Sequence, residues 1–142
     1  MVPEAEVIKV LVDVLQAFPC IQAQGFEIRI SHATLANSIL DAAQVPVEMK
    51  PKISQILTQS NKLTWTRARK IILNLDVPES VLTKLENLLQ LKVNDNGKLL
   101  SKISSKLADS KIAMAAIKNL ETLFRRLTVI ILYFVFFYFL FF

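Results

Sequence analysis

Residues 4–45, EAEVIKVLVDVLQAFPCIQAQGFEIRISHATLANSILDAAQV, combine a helix, a proline break, a short strand and a second helix. An apolar stripe repeats at steps of three and four residues: Val7, Val10, Leu11, Val14 and Phe18. That spacing predicts an amphipathic helix with this stripe buried, and Pro19 cannot continue it. Phe26–Ile30 alternates apolar and charged residues as a half-buried strand does. Ser31 or Thr34 is expected to cap the next helix.

The rest of the chain up to residue 127 has the pattern of short amphipathic helices separated by prolines and polar turns. Asp109 or Ser110 is expected to cap the last of them. The positions that these helices are expected to bury are Leu35, Ile39, Leu40, Ala43, Ile53, Ile56, Leu57, Trp65, Ala68, Ile72, Leu75, Val81, Leu82, Leu85, Leu88, Leu89, Leu99, Leu100, Ile103, Leu107, Ile112, Ala116, Leu120, Leu123 and Leu127. The predicted fold is therefore mainly α, a bundle of short helices with one strand at about 26–30.

The order of these elements resembles a known family. Four segments follow one another along the chain: Phe18-Pro19-Cys20-Ile21-Gln22, Gly25 to His32, Leu73 to Val81, and Leu120 to Leu123. This arrangement is similar to the histidyl-tRNA synthetase-like domain of the plant-type general-control kinase, the amino-acid starvation sensor that acts on translation initiation factor 2 alpha. The resemblance covers roughly residues 4–127. It implies a slice of a class II synthetase-like α+β domain, in which the predicted strand would join an antiparallel sheet.

The chain also departs from that family. It has no Gly-rich ATP loop, no His-Arg-Asp catalytic loop and no Asp-Phe-Gly. The synthetase-like signature regions that precede this stretch in the family are missing too. The resemblance therefore implies a non-catalytic fragment that starts late in the domain and ends early. In the family, such a region recognises uncharged tRNA and relieves inhibition of a serine/threonine kinase. Its implied partners are uncharged tRNA and either other domains or a second copy of the parent kinase.

Charge divides the chain into two halves. Residues 1–49 carry a net charge of −4 and residues 50–142 a net charge of +9, which gives the overall +5. A basic half beside an acidic half suggests that the former binds a polyanion. One cysteine forms no internal disulfide, so a reducing, cytoplasmic location is expected.

Two basic clusters are candidate nucleic-acid contacts. Lys98, Lys102 and Lys106 recur at four-residue steps and share one helical face. Arg67, Arg69 and Lys70 form a tighter group beside Trp65, a residue whose spacing favours the core. Lysine and arginine on an exposed face contact phosphates. Both clusters also fit the alternative of an ordinary solvated helix surface.

No residues form a catalytic or metal-binding pattern. A single histidine, His32, provides neither a metal cluster nor a base–nucleophile pair, and a capping hydrogen bond is its expected role. Cys20 has no basic neighbour and is expected to be a small buried side chain. The expectation is a protein without catalytic residues, metal or cofactor.

The tail, residues 128–142, is the least typical part of the sequence. It has no charged residue, and six of the nine phenylalanines fall in the last nine positions. As a helix, residues 127–142 would span about 24 Å, less than the hydrocarbon core of a membrane at about 30 Å. All residues from Val129 onwards have codons with thymine in the first or second position, as translation of a thymine-rich intron would give. The tail is therefore interpreted as intron read-through or as a membrane anchor.

Two further functions stay open beside tRNA binding. One is a small tail-anchored helical adaptor held at a membrane by residues 128–142. The other is a structural scaffold whose helices only pack against a partner domain or a second copy, which would bind no RNA.

Overall fold

The computed structural model describes residues 3–58, 64–89, 95–130 and 136–139. The elements before the first gap are α1 (Pro3–Gln16), α2 (Pro19–Gln24), β1 (Glu27–Ile30), α3 (Ala33–Ala42), a 3₁₀ turn (Val47–Met49) and α4 (Lys50–Thr58). The later elements are α5 (Trp65–Leu73), α6 (Glu79–Leu89), α7 (Asn96–Lys106), α8 (Lys111–Ile130) and β2 (Phe136–Phe139). The predicted mainly helical fold is confirmed, and β1 lies within the predicted strand.

The longest helix, α8, is the centre of the packing. It contacts α1, α3 and α7, while α3 also packs against α6, and α4 packs against α5. The buried face of α8 repeats at steps of three and four residues: Ala113, Ala116, Ile117, Leu120, Leu123 and Leu127. Ile112 was expected on this face but is 66% exposed, because it lies to one side of the seam that the other six residues define.

The core of α3, α6 and α7 lies where the sequence pattern predicts it. The predicted positions of α3 (Leu35, Ile39 and Leu40) and of α7 (Leu99, Leu100 and Ile103) are buried, and so are the predicted residues that follow these helices, Ala43 and Leu107. Together with the buried faces of α4, α5, α6 and α8 they form one continuous hydrophobic cluster. Trp65 is partly buried and packs against this cluster, as expected.

A different face of α1 is buried than the periodicity predicts. Ala5 and Val12 are 1% exposed, whereas the predicted stripe from Val7 to Phe18 lies at the surface. Ala5 forms a small second cluster with Leu123 and Leu127 of α8, with Ile8 packed beside them. The short alanine side chain brings the backbone of α1 close to α8, and this contact selects the buried face.

Two predicted caps also differ from those observed. Neither Ser31 nor Thr34 caps α3: the N-cap residue is His32, whose Nδ1 accepts a hydrogen bond from the backbone N–H of Leu35 (3.4 Å). At the start of α8, the Ser110 Oγ accepts from the backbone N–H of Ala113 (3.2 Å), so the predicted alternative Asp109 is not the cap.

The strands pair in parallel, in a register that aligns Glu27 with Phe136 and Ile30 with Phe139. A parallel pair needs a crossover connection, and here the connection comprises all the helices from α3 to α8. The resemblance implies that β1 joins an antiparallel sheet in a full domain. Its pairing with β2 is instead parallel.

The tail contains the end of α8 and the strand β2, so it is not one continuous helix. Residues 131–135 and 140–142 of the tail lie outside the described residues. Within the described ranges, no helix combines the length and the apolarity that crossing a bilayer requires. The predicted boundary between residues 127 and 128 falls inside α8 and remains a prediction.

We expect Leu40→Ala to lower the free energy of unfolding by about 2–5 kcal/mol, because Leu40 is fully buried and its truncation leaves a cavity. Leu11→Ala is the matched control: Leu11 is 46% exposed on α1, and the same truncation should cost less than about 0.5 kcal/mol. Urea denaturation of the full chain measures both. Equal losses would mean that the Leu11 face of α1 is buried after all.

Candidate nucleic-acid interface

The arginine group lies on α5, whose buried Ala68 and Ile72 turn the opposite side of the helix to solvent. Arg67 and Lys70 are exposed, and their three-residue spacing puts them on the same side. Arg69 is different: its guanidinium pairs with the Glu79 carboxylate of α6 at 2.6 Å. Arg69 therefore links α5 to the first turn of α6, while Arg67 and Lys70 are exposed.

The lysine row lies on α7 as predicted. The backbone N–H of Lys98 donates to Asp95 Oδ1 (2.8 Å), which caps the helix, and Leu99, Leu100 and Ile103 hold it to the core. Lys98 and Lys102 are exposed, and no ion pair in the described part of the chain engages either amine.

The third lysine of the row has a structural contact. The Lys106 Nζ donates to the backbone carbonyl oxygen of Asn87 (2.6 Å) in the last turn of α6. A cation at the C-terminal end of a helix interacts favourably with the negative end of the helix dipole. Lys106 thus stabilises the end of α6 in addition to contributing positive charge to the row.

A further basic row on α8 was missed in the sequence analysis. Lys111, Lys118 and Arg125 are exposed and seven residues apart, so they lie two turns, or about 10.5 Å, from one another along the helix. They project from the side of α8 opposite its buried seam. The seven-residue spacing is visible in the sequence, but it was overlooked because no two of these residues are close neighbours.

The two rows lie on adjacent helices, because α7 packs against α8. Between them lies a shallow groove lined by Ser104, Met114, Lys118 and Glu121, in which the Ser104 Oγ donates to Met114 Sδ (3.4 Å). Helical geometry places the exposed hydroxyls of Ser101 and Ser105 on α7 between this groove and the lysine row. We call this surface the α7–α8 face: the rows Lys98, Lys102, Lys106 and Lys111, Lys118, Arg125 with the two serines.

The α7–α8 face and the arginine group are positioned by different contacts. α7 is held against α8, whereas α5 is held against α4 and, through Arg69, against α6. Glu121, which lines the groove, is the one acidic residue in the sequence of α8. The face thus presents six cations, which suit the phosphates of a nucleic acid. It also presents the Ser101 hydroxyl, which can bond to phosphate or sugar oxygens, while the Ser105 Oγ donates to the backbone carbonyl oxygen of Lys102 (2.8 Å).

His32 and Cys20, the single histidine and the single cysteine of the sequence, have structural settings. His32 caps α3, as expected, and lines a cleft of about 320 Å³ together with Glu4, Asn119 and Thr122. Cys20 was expected to be buried but is exposed, because it lies in the short helix α2, none of whose residues is buried. In the described ranges, no three histidine, cysteine or acidic side chains lie close enough to hold a metal ion.

Comparison with known proteins gives the family. No curated protein matches the chain. The family model described as Histidyl-tRNA synthetase matches residues 2–135, which is most of the 142-residue sequence and includes the first part of the tail. The chain therefore belongs to the histidyl-tRNA synthetase family.

Proposed function

We propose that this protein binds tRNA through the phosphates of its backbone, without catalysing a reaction. The observation that carries the proposal is the α7–α8 face, where two rows of exposed cations lie on adjacent helices with serine hydroxyls between them. Membership in the histidyl-tRNA synthetase family supports tRNA as the polyanion.

The composition of the face favours recognition of shape. Neither α7 nor the exposed side of α8 carries an aromatic side chain on which an unpaired base can stack: Phe124 is partly buried against the core. Trp65 beside the arginine group likewise packs against the core. Lysine, arginine and serine instead suit phosphates and 2′-hydroxyls, which a folded RNA presents irrespective of its sequence.

We further propose that the protein is part of the tRNA-sensing regulatory region of a starvation-activated translation initiation factor 2 alpha kinase. This rests on the resemblance of residues 4–127 to the kinase's synthetase-like domain, and it implies a cytoplasmic location and contacts with other parts of that kinase. The tail-anchored adaptor depends on residues 128–142, of which 131–135 and 140–142 lie outside the described residues, and it remains a prediction.

We expect the double variant Lys98→Ala, Lys102→Ala to weaken tRNA binding and to reduce the slope of log affinity against log salt by about one for each lysine, because each lost phosphate contact releases fewer counterions. Fluorescence anisotropy with the full chain at several salt concentrations measures this. The control is Lys9→Ala, Lys52→Ala, which lowers the net charge equally on α1 and α4. The same slope in both double variants would contradict binding at the α7–α8 face.

Arg67 and Arg69 allow a second comparison within one helix. We expect Arg67→Ala to weaken tRNA binding, because Arg67 is exposed, and Arg69→Ala to leave it within about twofold. Arg69→Ala should instead lower the free energy of unfolding by up to about 1 kcal/mol, as loss of a partly exposed ion pair does. A larger binding defect for Arg69→Ala would show that the ion pair with Glu79 opens to admit RNA.

The sensing function makes a separate prediction. Deacylated tRNA should bind more tightly than the same tRNA carrying its amino acid, and competition anisotropy with the two forms measures the ratio. Equal affinities, with the salt dependence intact, would leave tRNA binding in place and contradict the sensing function.

A further inference from the structure

The exposed apolar stripe on α1 is the largest feature that tRNA binding does not use. Four large apolar side chains of α1 lie along it, each between 46% and 69% exposed: Val7, Val10, Leu11 and Val14. Their spacing at three and four residues makes the stripe continuous over about 10.5 Å of helix. Phe18, the extended residue that precedes α2, is also exposed (51%). A continuous apolar patch of this kind marks an interaction surface, whereas single exposed apolar residues do not.

Among the described residues, α1 packs against α8 and contacts α2, and this packing leaves the stripe exposed. Only Ala5 and Val12 are buried against the rest of the molecule, with Ile8 and Leu15 partly covered. Apolar side chains thus cover more than half of the circumference of α1, and α8 occupies one part of it. A helix that is apolar over so wide an arc normally lies between two neighbours.

The charges beside the stripe restrict what can cover it. Glu6 and Asp13, seven residues apart, follow one edge, and Glu4 lies at the other edge near the N-terminal end. The one cation of the helix, Lys9, pairs with Asp13 at 2.6 Å on the far side of that acidic edge. The stripe is therefore apolar in the middle, with Glu4 and Glu6 beside it at the N-terminal end and Asp13, in an exposed ion pair with Lys9, beside it towards the C-terminal end.

The acidic residues beside the stripe argue against a membrane surface and against a second copy of the chain as its binding partner. An anionic membrane surface attracts helices whose apolar face is edged by lysine and arginine, and an acidic edge is repelled. A second copy, packed antiparallel on the same stripe, would bring Glu6 of one chain near Asp13 of the other, and like charges at such flanking positions disfavour pairing.

We propose that the α1 stripe docks a helix of a partner protein whose apolar side is edged by lysine or arginine. The apolar seam supplies the buried area, while Glu6 pairs with the partner's cations, as does Asp13 in exchange for its weak exposed ion pair with Lys9, and the two set the register. The basic half of this chain, with its net charge of +9, repels such a partner elsewhere and so restricts it to α1. The proposal is independent of tRNA binding.

Two designed helical peptides test the proposal on the full chain. They share one leucine seam, and the flanking positions are lysine in the first and glutamate in the second. Calorimetric titration should give one lysine-flanked peptide per chain, with an affinity that falls as salt is added and exceeds that of the glutamate-flanked peptide by about tenfold or more. The double variant Glu6→Lys, Asp13→Lys should reverse this preference.

Val10→Asp should reduce the affinity of the lysine-flanked peptide by at least about tenfold, because it places a charge in the middle of the seam. Val47→Asp is the matched control, since Val47 is 76% exposed in the 3₁₀ turn, and it should leave the affinity unchanged. Equal losses in the two variants, equal binding of both peptides, or no binding at all would overturn the proposal. So would sedimentation showing a dimer of the chain that Val10→Asp dissociates, since the occupant would then be a second copy.

Discussion

The buried seam of α8 is the contact on which the arrangement of the other helices depends. Its leucines and Ile117 supply most of the apolar surface, while Ala113 and Ala116 allow close approach in the half of the helix nearer to α7. Burial of large apolar side chains is the main favourable term in folding, and α8 buries six residues against three partner helices. α1, α3 and α7 take their places relative to one another because each packs on this one helix.

The same seam determines where the positive charge lies. Because one side of α8 is apolar, its cations project from the opposite side, and the adjacent helix α7 carries a second row of lysines. Some of the basic side chains also stabilise the fold. Arg69 and Lys106 make contacts with α6 that hold helices together, and Lys106 does so while it also contributes charge to the exposed row on α7.

Two features remain incomplete within the described residues. The stripe of α1 is exposed, and the sheet consists of two four-residue strands, which is fewer than a sheet normally needs to be stable by itself. Both lie at the same end of the core, since Ile8 of α1 and Ile30 of β1 pack against one small cluster with Leu123 and Leu127. Further protein surface at this end would stabilise both features at once. The family match includes the first part of the tail, which leads from α8 to β2.

The sequence by itself determined the local structure. The three- and four-residue apolar period located α3, α6, α7 and α8 and most of their buried side chains, and the alternation after Gly25 located β1, because both patterns arise from residues that are near neighbours in the chain. It also located the lysine row, whose members are one helical turn apart. Only the tertiary structure decided which side of α1 is buried, that Ile112 lies outside the seam, and that Arg69 and Lys106 contact α6. The physical reason is that α1 has two apolar sides, and the choice between them depends on how closely Ala5 approaches Leu127, a residue at the far end of the chain that no local pattern can specify.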